Sequence, residues 1–450
     1  MKDHITDMTV GDPVKHIILF ALPTLIGNLF QQVYNFADSI IVGRFVGADA
    51  LASVGATFSV TFLFFALCNG IGAGGGIIVS QYYGAHDDDR VRNCIVNTGV
   101  IMLLIPLFFG IVGFVSAPAL LRILDTPSEI ILDSVMYIRY MCVGLLFVSM
   151  YNYLASMIRA LGDSRSPLYF LIFSTFLNVF LDILFVYNLK MGIRGAAIAT
   201  IIAQFAAAVA CAVYAYIVNP YFKIRRRDCH VSKDMVINVM RLGVPMSLQY
   251  ALIAVSSMAV QRIVNSYGTV MVAAFTATSR IEQLIHQPYG TLGTSLATYC
   301  GQNYGARKYD RVYMGYKKGF LIMAVLSAAM IFTMQLFGGK ITGLFVTSPE
   351  VIAEGARGLR ITSLFYIPLG SIYVIRGVLT GVGDGLFALS NGIVEVVGRF
   401  TIPYLMTVYM GMGRTGIWVS AGVVWIVSAA FAWLRYYTYL HKRITVKGLS

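Results

Sequence analysis

Long apolar stretches recur along the whole chain, and they restrict the fold more than any other feature of the sequence. A helix needs about 20 mostly apolar residues to cross the hydrocarbon core of a bilayer. We therefore predict twelve transmembrane helices. Their predicted positions are 15–36, 51–79, 95–115, 131–154, 167–187, 195–218, 242–264, 270–299, 318–337, 357–380, 386–409 and 416–439.

The composition argues against a soluble fold and against a membrane β-barrel. Charged residues make up only 12% of the chain and hydrophobic residues 58%, whereas a soluble domain carries about 25% charged residues. Barrel strands alternate apolar and polar residues over about ten positions, and segments such as 100–115 and 320–337 show no such alternation. The sequence therefore predicts an all-α membrane protein.

The net charge of +13 reflects the placement of arginine and lysine in loops. Cytoplasmic loops of membrane proteins carry an excess of these residues. With twelve spans, the loops on the side of the termini hold most of them, including the run 223–227 and Arg376, and the opposite loops hold few. We expect a multi-pass protein of the plasma (inner) membrane with both termini in the cytoplasm, the lipid bilayer as its surroundings and no nucleic-acid partner.

Sequence motifs for catalysis, nucleotides and metals are missing from the chain. Walker A, HExxH, GxSxG and CxxC patterns do not occur, so we expect no enzyme activity, no cofactor and no zinc site. The glycine-rich run 70–76 has no preceding strand and no following Lys-Ser/Thr pair. Small residues at such spacing predict close helix packing instead.

The second half of the chain repeats the first at a spacing of 221 residues. The segment 81–91, Gln-Tyr-Tyr-Gly-Ala-His-Asp-Asp-Asp-Arg-Val, recurs at 302–312 with seven of eleven positions identical. Gly47 and Gly268 keep the same spacing. Each repeat holds six predicted spans, an even number, so both halves enter the membrane in one orientation. We therefore predict two pseudo-symmetric six-helix bundles related as parallel repeats.

The duplication also predicts a domain organisation. We predict an N-terminal lobe over 1–218, a basic cytoplasmic linker over 219–241 and a C-terminal lobe over 242–450. Two similar rigid bundles can rock and expose a central cavity to each side in turn. This favours secondary active transport, although architecture alone does not define a function.

Two acidic residues lie inside predicted spans of the first half. A charged side chain in the membrane is costly, which makes it a functional candidate. Asp182 lies four residues after Asn178, on the same face of the fifth span. Desolvation raises the proton affinity of a carboxylate, so we predict that Asp38 and Asp182 bind a coupling ion, H⁺ or Na⁺. Alternatively, both acids are hydrated near the surface. A polar stripe leads to Asp38 along one face of the first span: Asn28, Gln31 and Asn35.

Further candidates lie on both halves. Pro23 removes one hydrogen bond of the first span and predicts either a hinge or a static bend. Glu395 and Arg399, four residues apart, predict an intrahelical ion pair. His286 can titrate near neutral pH, but a hydrogen-bonded structural histidine is the favoured interpretation. The candidates for lining a substrate cavity are Asn28, Gln31, Tyr34, Gln249, Glu282 and His286.

Taken together, these residues resemble the MATE (multidrug and toxic compound extrusion) transporters, close to their prokaryotic DinF-like and MepA-like members. The resemblance covers nearly the whole chain. It is carried by Pro23, Gln31, Asn35 and Asp38, by the Gln-x-Tyr-Gly-Ala segments at 81 and 302, by Arg159-Ala-Leu-Gly-Asp163, and by Asn178 and Asp182. It implies two lobes around a central cavity and efflux of cationic or amphipathic drugs in exchange for H⁺ or Na⁺. Asp38, Asp182, Asn178 and Asn35 would form the coupling site, with a bend at Pro23.

The chain departs from one branch of that family. That branch has a second-lobe cation site made of a Glu on helix 7 and an Asp on helix 10. At the matching positions this chain has Gln249, and Gly370 or Ser371, so we expect coupling to depend on the first lobe.

The sequence is also compatible with functions other than drug antiport. A flippase for a lipid-linked precursor is the first alternative, and the scarcity of arginines deep in the first lobe argues against it. A membrane sensor or channel subunit is an alternative of another class. We expect a monomer.

Overall fold

Helices make up nearly all of this computed structural model, which describes residues 5–124, 126–224 and 230–441. The helices are α1 Pro13–Phe45, α2 Ala48–Gly84, α3 Asp88–Ile123, α4 Ile131–Ala160, α5 Arg165–Asp182, α6 Ile193–Val218, α7 Lys233–Asn265, α8 Thr269–Gly305, α9 Tyr309–Gly343, α10 Pro349–Ser363, α11 Tyr366–Gly381, α12 Gly385–Tyr404 and α13 Gly413–Arg435. Short π-helical turns extend α5, α12 and α13: Ile183–Asn188, Leu405–Tyr409 and Tyr436–His441. The all-α prediction is confirmed.

The predicted spans correspond to α1 to α9, the pair α10 and α11, α12 and α13. Within the described residues, ten helices are long and apolar enough to cross a bilayer, and α10 with α11 make an eleventh. The remaining predicted span corresponds to α8, a helix of 37 residues. Its polar residues include Arg280, Glu282 and His286, and they account for its lower hydropathy.

The predicted span 357–380 is divided between two helices in the structure. α10 and α11 are separate helices bent by 53°. The break lies at 364–365, where Pro368 offers no N–H to the carbonyl of Leu364 and its ring crowds that carbonyl. The residue 221 positions before Pro368 is Phe147, and α4 runs through it unbroken. The break therefore belongs to the second repeat alone.

Apolar side chains cover the outward face of α3. They recur at intervals of three or four residues, as expected for one face of a helix. Such a face suits contact with lipid, since a helix satisfies all its backbone hydrogen bonds internally. The exposed residues are Leu103, Leu104, Leu107, Phe108, Ile111 and Val115.

Packing divides the chain into two compact units. Unit 1 comprises Met1–Asp7 and Leu22–Ala251, and unit 2 comprises Met8–Ala21 and Leu252–Ser450. The first turns of α1 therefore belong to unit 2, although the rest of that helix belongs to unit 1. α7 is divided in the opposite sense, because its residues up to Ala251 belong to unit 1.

Unit 1 is built on α4, which contacts α2, α3 and α6. The glycine-rich run of α2 lies directly against α7, where a Cβ on Gly70 would collide with the backbone of Ser247 and a Cβ on Gly74 with Gly243. Ser247 also donates to the carbonyl of Leu67 at 2.7 Å. The predicted close helix packing by small residues is confirmed.

Unit 2 is built on α11, which contacts α8, α9 and α13. Its core joins Tyr289 and Met323 to Tyr366, Ile375 and Trp425. The Tyr289 hydroxyl is hydrogen-bonded to Ser327 at 2.8 Å. Glycines also bring α8 and α11 together, since a Cβ on Gly377 would collide with the carbonyl of Gly293.

The backbone repeats the 221-residue spacing seen in the sequence. Gly47 and Gly268 precede α2 and α8 with φ of 124° and 87°, a region that favours glycine. The π-helical turns after α5 and α12 also correspond. Four further pairs have positive φ at the same spacing: His86 and Arg307, Gly162 and Gly383, Lys190 and Gly411, and Gly192 and Gly413.

Candidate functional site

Asp38 and Asp182 lie side by side in unit 1. α1 carries Asp38, and Asp182 is the last residue of α5 before its π-helical turn. The two carboxyl groups are within hydrogen-bonding reach of each other. Asp182 and Asn178 have no exposed surface. π-helical turns inserted in α-helices are frequent at functional sites, and this one follows Asp182 directly.

A shell of hydroxyl groups surrounds the two acids. Thr200 on α6 accepts hydrogen bonds from the Tyr34 hydroxyl at 3.1 Å and from Nδ2 of Asn178 at 3.4 Å. Tyr34 and Tyr137 both lie next to the two carboxyl groups and are buried. Four helices, α1, α4, α5 and α6, thus supply polar side chains to the site.

Sequence reasoning missed Tyr137 and Thr200. Spacing within a helix relates residues on one face, and it found Asn178 beside Asp182. Tyr137 belongs to α4 and Thr200 to α6, so no spacing rule connects them to Asp38. The only available signal for Thr200 was a polar residue within the apolar stretch 196–203.

The other residues predicted on α1 differ in their exposure. Asn35 is exposed, and Asn28 and Gln31 are half-buried. Pro23 lies inside the continuous α1, directly after the point where the helix passes from unit 2 to unit 1. Gln249 is buried on the part of α7 that belongs to unit 1.

A separate group of charged residues lies in unit 2. Arg376 is in α11, paired at 2.9 Å with Glu395, so its predicted place in a cytoplasmic loop is wrong. Arg399 is 3.9 Å from Glu395, and the predicted intrahelical pair is thus the weaker of two contacts. His286 is hydrogen-bonded to the Tyr373 hydroxyl at 3.2 Å. Within the described residues, Oε1 of Glu282 is buried without a hydrogen-bond partner.

The second repeat does not contain a copy of the acid pair. Arg399 occupies the position 221 residues after Asn178, and Pro403 the position after Asp182. Arg399 donates to Ser256, the counterpart of Asn35, at 3.2 Å. A cationic group therefore replaces an amide at the corresponding place.

Both repeats match one protein family. The MatE family model covers residues 23–184 and 245–405. The chain belongs to the MatE family. The two matched regions of this MatE chain begin at the paired prolines Pro23 and Pro245 and end at the π-helical turns. The first matched region contains both members of the acid pair.

Similar proteins support the same assignment. This MatE chain is 32% identical over 440 residues to the probable multidrug resistance protein YpnP of Bacillus subtilis (strain 168), covering 96% of each chain. It is 23% identical to the multidrug export protein MepA of Staphylococcus haemolyticus (strain JCSC1435), over 97% of this chain and 96% of that protein. A crystal structure of MATE in the straight conformation is similar with a TM-score of 0.91, at 24% identity and 99% coverage of each chain. The predicted family is confirmed.

Proposed function

We propose that this MatE chain is a secondary active antiporter that exports cationic or amphipathic drugs across the membrane in exchange for H⁺ or Na⁺. The names of its relatives, a probable multidrug resistance protein and a multidrug export protein, support the substrate class. One observation carries the coupling site: the carboxyl groups of Asp38 and Asp182 are within hydrogen-bonding reach in a buried shell.

A close pair of carboxyl groups, Asp182 buried and Asp38 half-buried, favours the binding of a cation. Two carboxylates repel each other strongly where water is scarce. A proton shared between Asp38 and Asp182 removes that repulsion, and so does a cation that bridges them. The remaining groups, the hydroxyls of Tyr34 and Thr200 and the amide of Asn178, offer hard oxygen donors of the kind that Na⁺ accepts. Both coupling ions therefore fit the side chains at this site.

The proposed cycle uses this site to reverse the carrier. Drug binds with the outward gate shut, the units rearrange, and drug leaves outward. Arrival of H⁺ or Na⁺ at Asp38 and Asp182 then returns the carrier inward. Pro23 is the proposed hinge, since it removes a helix hydrogen bond below the ion site. The proposed cavity-lining groups are Asn28, Gln31, Tyr34, Gln249, Glu282 and His286.

Placement in the membrane is part of the same proposal. The excess of arginine and lysine in the loops on the side of the termini supports a cytoplasmic position for both ends. We propose a monomer in the plasma membrane, because each repeat already supplies one of the two bundles that transport requires.

Ethidium transport by proteoliposomes tests the coupling site. Asp38→Asn removes one of the two acids and leaves a group of similar shape. We expect ethidium transport driven by an imposed pH or Na⁺ gradient to fall by about tenfold or more, because the ion would lose one of its two carboxylates. The gradient that drives the unmodified protein identifies the coupling ion.

Asp49→Asn is the matched control, since Asp49 is an exposed acid in the first turn of α2. It should transport at the rate of the unmodified protein. Asp38→Asn transport at the native rate under both gradients would rule out the coupling site. Conductance without gradient-driven flux would favour a channel.

A further inference from the structure

The segment before α1 is held by the second copy of the repeated motif. The backbone N–H of Met8 donates to Oε1 of Gln302 at 2.9 Å, and the Met8 carbonyl accepts from Asn303 at 3.1 Å. Lys308 donates to the carbonyl of Thr9 at 2.9 Å. Met8 is 1% exposed and Thr9 is 2% exposed. A polar turn of unit 2 thus buries a short non-helical segment by satisfying its backbone groups.

Arg311 makes the central contacts of this anchor. Its guanidinium donates to the carbonyls of Met8 and Gly11, each at 3.0 Å, and to Oδ1 of Asn303 at 2.9 Å. Two hydrogen bonds from one planar cation hold the segment, and the third orients Asn303, which itself donates to the Met8 carbonyl. Hydrogen bonds from charged donors are also stronger than neutral ones.

The first copy of the motif has the same turn and a different use. The two turns share their backbone hydrogen bonds, Ala85 to Gln81 and Ala306 to Gln302, both at 3.0 Å. Arg90, the counterpart of Arg311, instead contacts Asp87 at 3.4 Å, and its side chain is 65% exposed. An open cavity of about 610 Å³ lies there, lined by residues that include Tyr82, Arg90 and Asn93. Anchoring by this arginine is therefore a property of the second copy, whereas Asn93 and Asn97 hold the corresponding segment before α7 by donating to the carbonyl of His230 at 2.9 and 3.1 Å.

The anchored segment changes units twice over a short distance. The chain passes from unit 1 to unit 2 between Asp7 and Met8, and returns to unit 1 between Ala21 and Leu22. In unit 1, a Cβ on Gly162 would collide with the carbonyl of Thr6, so the chain is held closely just before the anchor. The first turns of α1 are thus fixed to unit 2, and the part that carries Asp38 is fixed to unit 1.

We propose that Arg311 is a positioning residue for transport. It holds Met8–Ala21 in unit 2, so that any movement of one unit against the other must bend α1 at the point where the helix passes from unit 2 to unit 1. Pro23 follows that crossing point directly. The proposed role rests on the antiport function above. The held segment lies outside the regions that match the MatE family model, whereas Arg311 lies inside the second of them.

Cysteine labelling measures the anchor without transport. In a variant with all six cysteines replaced, Met8→Cys and Val10→Cys are each exposed to a bulky hydrophilic maleimide in detergent. Met8 is buried, and Val10 in the same segment is 56% exposed. The Met8→Cys thiol should therefore react at least about tenfold more slowly than the Val10→Cys thiol. Adding Arg311→Ala should remove most of that difference, whereas Arg90→Ala should preserve it. Equal rates at both positions in the parent would overturn the anchor.

Transport kinetics test the role of the anchor. We expect Arg311→Ala to lower the maximal rate of ethidium transport by about tenfold and to leave the KM for ethidium unchanged, since no drug contact is lost. Arg90→Ala should behave as the parent. Lys308→Ala, which removes the contacts to Thr9, provides the same comparison if Arg311→Ala fails to fold.

The outcomes separate the two proposals. An Arg311→Ala protein that exposes Met8→Cys and still transports at the parent rate would overturn the positioning role and leave antiport standing. A parent that transports no ethidium would contradict the antiport function, and the labelling rates would still decide whether Arg311 anchors the segment.

Discussion

At the scale of single residues, Thr200 illustrates how a neutral side chain organises the acid pair. Its hydroxyl oxygen accepts from both Tyr34 and Asn178, which are buried. A buried donor without an acceptor costs more free energy than its hydrogen bond contributes. Thr200 therefore holds two neighbours of the acids in place without adding a charge.

Thr200→Val keeps the shape of the side chain and removes the acceptor. We expect a loss of about 1–3 kcal/mol of stability, because two buried donors lose their partner. The measurement is the thermal midpoint in detergent. Thr175→Val is the control, since Thr175 donates only to the Leu171 carbonyl of its own helix at 2.8 Å. Equal midpoints for the two variants would contradict this account.

At the scale of helices, the two repeats solve one packing problem in opposite ways. In unit 1, Gly144 on α4 faces Ile201 on α6, and a Cβ on the glycine would lie 3.0 Å from that side chain. The counterparts in unit 2 are Phe365 and Gly422, and there the ring lies on the glycine. The large residue is thus the second member of the pair in unit 1 and the first member in unit 2. Phe365 lies in the break between α10 and α11.

Exchanging the large and small residues tests this complementarity. Gly422→Ile alone should prevent folding or lower the thermal midpoint strongly, because a Cβ would already collide with the Phe365 ring. Adding Phe365→Gly recreates the arrangement of unit 1. We expect the double variant to recover about 1–3 kcal/mol relative to Gly422→Ile. If the double variant is no more stable than Gly422→Ile, the exchange of large and small residues does not explain the packing at these two positions.

At the scale of the whole molecule, duplication conserved the fold and separated the chemistry of the two repeats. Positive-φ positions, π-helical turns and the motif turn all recur at one spacing. The acid pair occurs only in unit 1, whereas the corresponding place in unit 2 carries Arg399. Likewise, the second motif copy alone anchors the N-terminal segment. Each repeat therefore contributes a different part of the proposed mechanism.

Variants at the corresponding positions test this division. Arg399→Asn leaves Glu395 paired with Arg376 at 2.9 Å, so we expect ethidium transport and its ion dependence to stay near those of the parent. Asn178→Arg places a cation beside the acid pair and should abolish gradient-driven transport, since it competes with the coupling ion. Size-exclusion profiles verify folding. Loss of ion dependence in Arg399→Asn would show that unit 2 takes part in coupling.

Much of the fold follows from the sequence alone because its signals are local. Each apolar stretch is long enough to cross a bilayer, and a lipid environment leaves the helix as the available structure. The spacing of 221 residues revealed the duplication, and the helical period placed Asn178 on the same face as Asp182. Pro368 was also visible, but a proline inside an apolar stretch is compatible with either a bend or a continuous helix.

Tertiary packing decided which helices meet, and therefore what surrounds the acids. Tyr137 and Thr200 reach the acids because α4 and α6 pack beside α1 in unit 1. The pairing of Arg376 with Glu395 depends likewise on the packing of α11 against α12. Periodicity along one helix contains no information about its neighbours, since small residues and complementary side chains select them through contacts that are distant in the sequence.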